Sequence, residues 1–187
     1  MPWSEDMTVS RPISPYAASK VAAESLCYTY HHLFGIDVTV FRFFTVYGPA
    51  GRPDLSIFRF IKWIAESEPV ILYGDGNQTR DFTHVDDIAR GVVAGLAPLG
   101  YEIINLGSDR PVSINNVISI IETTLDATAI VDHHHPLAVD VPGSWADVEK
   151  ARRLLDWEPE VTLEAGLQGA VDWYRQEREW ASKVQLF

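Results

Sequence analysis

The stretch Ser14–Lys20, SPYAASK, sets a tyrosine and a lysine four residues apart at the head of an expected helix. Residues at i and i+4 share a helix face, so Tyr16 and Lys20 can point into one site. A phenol is a poor base in water, and a neighbouring ammonium favours its phenolate form. Such a pair suits proton transfer from an alcohol whose carbon gives up a hydride. The spacing alone also describes any solvated helix face, so the pair gains meaning only from the motifs downstream of it.

Two arginines lie further along, in segments of loop character. Arg52 sits in RFFTVYGPAGRPD and Arg80 in YGDGNQTRDF. A guanidinium forks onto carboxylate or phosphate oxygens, which makes both candidates for holding an anionic ligand. The plainer alternatives are a solvated Arg52 and a structural Arg80–Asp81 pair. Asp86 and Asp87 open a helix and read as partners of its dipole, not as catalysts. The run His133–His135 invites a metal, but adjacent residues do not converge on one ion and no thiolate or carboxylate cluster accompanies them. A solvated loop is expected there. Trp157 and Trp173 fall on apolar helix faces and are assigned to the core.

The elements that must position these residues alternate in type. Ser14 is a candidate N-cap, Pro15 suits the first helical position, and Gly35 ends the helix. DVTVFRF reads as a buried strand, SIFRFIKWIAESE as a helix, PVILYG as a strand and DGNQTRDF as a loop. HVDDIARGVVAGLAPL is an amphipathic helix, YEIINLG a strand, and Ser113 caps another helix. AIVDHHH holds a short strand at most, and two helices close the chain. Helix and strand in alternation predict an α/β sheet.

The 187 residues are 47% hydrophobic and carry a net charge of −11. That charge argues against nucleic-acid binding, which calls for a basic stripe. No apolar run approaches the roughly 18 residues of a membrane span, and the start of the chain has no signal-peptide character. Cys27 is the single cysteine and is expected to be a packed core or interface thiol, in keeping with a cytoplasmic protein.

SPYAASKVAAESL, VFRFFTVYGPAGRPD and LYGDGNQTRDFTHVDDIARG occur in this order over most of the chain. Together they resemble the extended short-chain dehydrogenase/reductase family of NAD-dependent sugar-nucleotide epimerases and dehydratases. RFFTVYGPAGRPD is most similar to the UDP-glucuronate 4-epimerase branch. The resemblance implies that Tyr16 is the general base and that Lys20 assists it and holds the nicotinamide ribose. It further implies Phe43 and Phe44 beside the NAD, Thr45 on the sugar, and Arg52 on the sugar carboxylate or the nucleotide. Arg80, assisted by Gln78, would hold the UDP diphosphate. The family's second arginine clamp has no counterpart in HPLAVDVPGSWAD.

The family opens with a Gly-rich strand–turn–helix that cradles the dinucleotide, and no such motif occurs in this sequence. Its catalytic Ser/Thr lies about twenty residues before the tyrosine, which here falls before Met1. Residues 1–187 are therefore expected to be the C-terminal portion of such an enzyme, the tyrosine helix plus a substrate-binding lobe. The expected fold is α/β, an incomplete Rossmann-like parallel sheet with a small α/β lobe. A truncated chain, inactive alone and without the full NAD site, is expected on the same grounds. A 4,6-dehydratase fragment and a non-catalytic nucleotide-sugar-binding module are the alternatives. Expected partners are a UDP-sugar and further copies of the chain meeting through exposed apolar surface.

Overall fold

The computed structural model describes residues 2–7, 10–136 and 141–186. Helix α1, Pro15–Phe34, starts and stops as its caps dictate. Ser14 Oγ accepts from Ala17 N at 3.1 Å, and Gly35 takes the left-handed conformation at φ 63°. Strand β1 (Val38–Phe43) runs parallel to β5 (Tyr101–Leu106), pairing Val38 with Tyr101 and Phe43 with Leu106. On this pair lies a helical stripe of half-buried residues, including Ala17, Val21, Glu24 and His31. Arg42 of β1 grips Glu24 with two bonds of 2.8 Å, and Tyr101 Oη donates to the Glu24 carbonyl at 3.1 Å.

Phe44 is the point at which the chain changes sheets. Strand β2 (Thr45–Tyr47) begins one residue after β1 ends, yet it pairs with β4 (Thr79–His84) and not with β5. Strand β4 also pairs with β6 (Pro111–Ser113) antiparallel and with β8 (Gly143–Ser144) parallel. Strands β3 (Val70–Tyr73) and β7 (Val131–His134) form a separate parallel pair. The expectation was an incomplete parallel sheet with a small α/β lobe, and the observed division differs from it in detail. Among the described residues the strands fall into three sheets, because the chain exchanges partners at Phe44 and β4 carries an antiparallel neighbour.

Two cores stand on either side of this switch. The larger packs α2 (Ser56–Ala65), α4 (Ile114–Leu125) and α6 (Leu163–Gln176) around Ile61, Ile121, Leu167 and Val171, all but inaccessible to water. Each such side chain contributes about 1.5–3 kcal/mol on burial. The smaller joins Ile104 and Leu106 of β5 to Ile88 of α3 (Val85–Ala94), Ala151 of α5 (Glu149–Leu155) and Trp157. Trp157 donates its indole N–H to the Asp87 carbonyl at 2.8 Å, as its assignment to the core requires.

Several local expectations change. The segment expected as the loop DGNQTRDF enters β4 at Thr79, while AIVDHHH does hold a short strand, β7, so His133 and His134 stand on an exposed strand instead of a loop. Helix α3 is capped by the His84 side chain, while Asp87 is buried and accepts from Glu160 N and Val161 N at 3.2 and 3.1 Å. Cys27 is half-buried on α1, a helix with no fully buried residue.

At the far end of the larger core, Glu66 accepts from Arg178, of α7 (Arg178–Ala181), at 2.9 and 3.0 Å, and from Tyr174 Oη at 3.0 Å. The Arg178 guanidinium, followed by the Tyr174 hydroxyl, holds the Glu66 carboxyl below the usual carboxylate range. A lowered folded-state pKa gives stability that is fully present above the unfolded value, about 4.3, and is lost as pH falls through the folded one. Because Arg178 is well exposed, the contribution is about 0.5–1 kcal/mol. Urea melts of Glu66→Gln are expected to show that deficit at about pH 7 and to lose it progressively as pH falls below about 4. A deficit that is equal across this pH range would show that the ionised carboxylate is not its source.

Candidate functional site

Tyr16 and Lys20 occupy the first turns of α1, on a face turned away from the β1–β5 pair. Lys20 Nζ lies 5.3 Å from the centroid of the Tyr16 ring, which places the charge beside the phenol. Tyr16 is 73% exposed, so the pair presents itself at an open surface. Asp54 first, and the Tyr16 phenol last and least, raise the pKa of Arg52. The Arg52 side chain folds back onto Asp54, with Nε 3.0 Å from Oδ1, and its hydrogen bond holds the Asp54 carboxyl below the usual range.

The strand switch at Phe44 divides the next residues between two hollows. Phe43, at the carboxyl end of β1, is 50% exposed. With Phe44 it borders a shallow hollow alongside Trp3, Arg42 and Asn105. Thr45, one residue on, opens instead into a cavity of about 280 Å³ on the other side. That cavity lies between the start of α2, β3 and β4, and it collects Arg59, Tyr73, Gln78 and Arg80. The carboxyl ends of strands are where open α/β folds place ligands, and β1 delivers both hollows there.

Arg80 and Asp81 do not form the pair that was the plain alternative. Neighbouring strand residues point to opposite faces. Arg80 donates to the carbonyls of Thr79 at 2.7 Å and Val141 at 2.9 Å, beside the cavity. Asp81 is fully buried on the other face, where it accepts from Ser108 N, Asp109 N and Ala146 N. Gln78 donates to the Tyr73 carbonyl at 2.7 Å, which fixes its amide at the cavity edge.

Of the residues singled out in the sequence, Thr45, Gln78 and Arg80 therefore share one cavity. Phe43 and Phe44 share the neighbouring hollow, and Tyr16, Lys20 and Arg52 stand at the open surface. Arg59 and Tyr73 escaped the sequence reading. An arginine and a tryptophan at i and i+4 on α2 were the available signal, and they read as part of an amphipathic helix. Among the described residues no group of three His, Cys, Asp or Glu side chains is placed to hold a metal ion. Ahead of β8 in the sequence, Leu137, Ala138, Val139 and Asp140 lie outside the described residues. No helix of the described residues is long and apolar enough to cross a membrane.

Comparison with known proteins gives one consistent answer. The family described as "NAD dependent epimerase/dehydratase family" matches residues 2–107. A UDP-glucuronate 4-epimerase of Thermodesulfobacterium geofontis is 53% identical over 99% of this chain and 58% of its own length. A UDP-glucuronic acid 4-epimerase from Bacillus cereus, solved with UDP-glucuronic acid and NAD, superposes with a TM-score of 0.89. It is 39% identical, over 95% of this chain and 57% of that one. MoeE5 in complex with UDP-glucuronic acid and NAD is 36% identical with a TM-score of 0.88, over 94% of this chain and 60% of its own.

These likenesses correct the expectations built on a C-terminal half. Against the incomplete sheet expected, the likeness runs over 95% of this chain in the Bacillus cereus structure, so the elements described take the fold of the part of that structure they match. Against the expectation of a chain without the full NAD site stands the finding that both that structure and MoeE5 hold NAD and match this chain over 95% and 94% of its length. The chain spans a little over half the length of the relatives it matches, 58% and 57% for the first two.

Proposed function

The chain belongs to the NAD dependent epimerase/dehydratase family, and from that premise we propose that it serves the NAD-dependent 4-epimerisation of a UDP-sugar, of the UDP-glucuronate type before the UDP-glucose type. The observation that carries this reading is the strand switch at Phe44. It sets Phe43 on the rim of one hollow and Thr45 in the arginine-bearing cavity, two residues apart. A sugar bridging the two sides can present its reacting carbon to Tyr16 while its nucleotide lies against Arg80.

The residues present fit the nicotinamide end of NAD. Phe43 offers an exposed aromatic face, and Lys20 offers an unburied ammonium for ribose hydroxyls. When bound, NAD supplies reversible hydride exchange at the sugar C4. Tyr16 Oη takes the C4 hydroxyl proton and later returns it, with the Lys20 charge beside it. Thr45 hydrogen-bonds the sugar. Arg52 must leave Asp54 to reach a carboxylate, and a uronic acid offers it a like partner. Arg80 and Gln78 hold the diphosphate end, so that the hexose alone turns over between the two hydride steps.

Exposed Leu26, Tyr30, Leu33 and Phe34 on α1 support association of copies through that helix. A lone cysteine supports a cytoplasmic setting. Proton NMR of the chain with NAD and UDP-glucuronate is expected to show the 4-epimer accumulating, with UDP as competitor. Absence of both turnover and UDP binding at millimolar ligand would sink the reading.

A further inference from the structure

We infer that Asp54 is a specificity-determining residue of the site, an internal carboxylate that occupies the Arg52 fork and that a sugar carboxylate must displace. The inference rests on the UDP-sugar reading and adds to it what sets the preference between a uronic acid and a neutral hexose. Asp54 lines the cavity of about 280 Å³ together with Thr45 and Arg80. Arg52 borders a separate small pocket beside Gly48 and Gly51, and Leu55 is common to both walls.

The contact between the two side chains has the form that a sugar carboxylate would take. Arg52 donates from Nε to Asp54 Oδ1 at 3.0 Å and from Nη2 to Oδ2 at 2.5 Å, so two parallel bonds join one fork to one carboxylate. A uronate offers the same pair of oxygens in one plane, and an Nε–Nη2 edge engaged in this way is closed to a second carboxylate. Recognition of a uronate at that edge is therefore an exchange of like for like. A neutral hexose has nothing to exchange, and with it the pair stays as it is.

The exchange is confined to side chains. Pro53 fixes its own φ, and the Arg52 carbonyl accepts from Leu55 N at 3.1 Å, which closes a four-residue turn between the partners. The side chains themselves are open to water, 72% for Arg52 and 48% for Asp54. An ion pair so exposed shifts an equilibrium by about fivefold at most, enough to tune the choice of sugar without shutting the fork. Beyond the Arg52 hydrogen bond and charge, the Arg59 charge in the first turn of α2 also favours the Asp54 carboxylate. Asp54 thus keeps a cation when Arg52 leaves it.

Isothermal titration with UDP-glucuronate and UDP-glucose tests this on wild type, Asp54→Asn, Arg52→Met and the double variant. Asp54→Asn keeps the shape and removes the charge. It is expected to tighten UDP-glucuronate about two- to fivefold, the range for releasing an exposed pair, and to leave UDP-glucose within about 1.5-fold. In the Arg52→Met background the same change is expected to alter UDP-glucuronate by less than about 1.5-fold, because no fork is left to release. Asp54→Ser, a second way of removing the carboxylate, is expected to give the same gain. A gain for one sugar alone cannot come from a variant that folds poorly. Unchanged or weaker UDP-glucuronate in Asp54→Asn would overturn the inference and leave the UDP-sugar reading standing. A gain shared equally with UDP-glucose, or one that persists without Arg52, would also overturn it, since plain repulsion of the anionic ligand by Asp54 would account for both. Wild type that binds neither nucleotide sugar would end the inference and the UDP-sugar reading together.

Discussion

Tyr16→Phe is expected to lower the rate of 4-epimer formation by about 10²- to 10⁴-fold, the range for losing a positioned general base. The change removes a single oxygen. The ring that stands beside Lys20 Nζ remains, and a side chain 73% exposed leaves no cavity when its hydroxyl goes. Stability is therefore expected to stay within about 0.5 kcal/mol of wild type. Affinity for UDP is expected to stay within about twofold, because Arg80, Gln78 and Thr45 lie in the cavity beyond the strand switch. The combination separates roles. A fall in kcat with unchanged UDP binding assigns Tyr16 to the proton, whereas retention of more than about a tenth of the activity would remove it from that role.

Much of what positions this tyrosine is written locally in the sequence. Ser14, Pro15 and Gly35 mark the two ends of α1, and each acts through its own backbone neighbourhood. The same holds for Ser113, whose hydroxyl accepts from Asn116 N at 3.2 Å at the start of α4. What was not legible depends on partners distant in the chain. VFRFFTVY is one apolar run, and nothing within it says that pairing passes from β5 to β4 at Phe44. TRDFTH is polar enough to read as loop, because its buried face is formed by Asp81 and Thr83. Those side chains are apolar in effect only once Ser108, Asp109 and Ala146 have come to satisfy them. Asp87 obeys the same logic: at a helix start it looks like a dipole partner, and its true partners lie about seventy residues on. Buried polar hubs are invisible to hydrophobic periodicity, which is why both the sheet division and the cavity wall emerged only in three dimensions.

The hub at Asp81 carries the second large expected effect. Asp81→Ala is expected to destabilise the chain by about 3–5 kcal/mol, the cost of dismantling a buried, hydrogen-bonded charge. Its Oδ1 accepts from Ser108 N at 2.6 Å and from Thr83 Oγ1 at 3.1 Å, and its Oδ2 from Ala146 N at 2.9 Å and Asp109 N at 3.2 Å. One carboxylate thus ties β4 to the turn after β5 and to the segment just beyond β8. Alanine leaves three backbone donors buried without an acceptor, and water has no access to a site of zero exposure. Asp81→Asn keeps the shape but turns an NH₂ group toward donors, so about 1–3 kcal/mol of the loss is expected to remain. Chemical denaturation of the three proteins checks the order, and a loss below about 1 kcal/mol for alanine would show that the hub is dispensable. The function is coupled to it through the neighbouring residue. Arg80 is in register with Ser144 on one side and Val112 on the other, and both pairings sit beside Asp81 in β4. Loosening the hub therefore moves the guanidinium proposed to hold the diphosphate, and Asp81→Asn is expected to weaken UDP by more than Tyr16→Phe does, although Asp81 itself never faces the cavity.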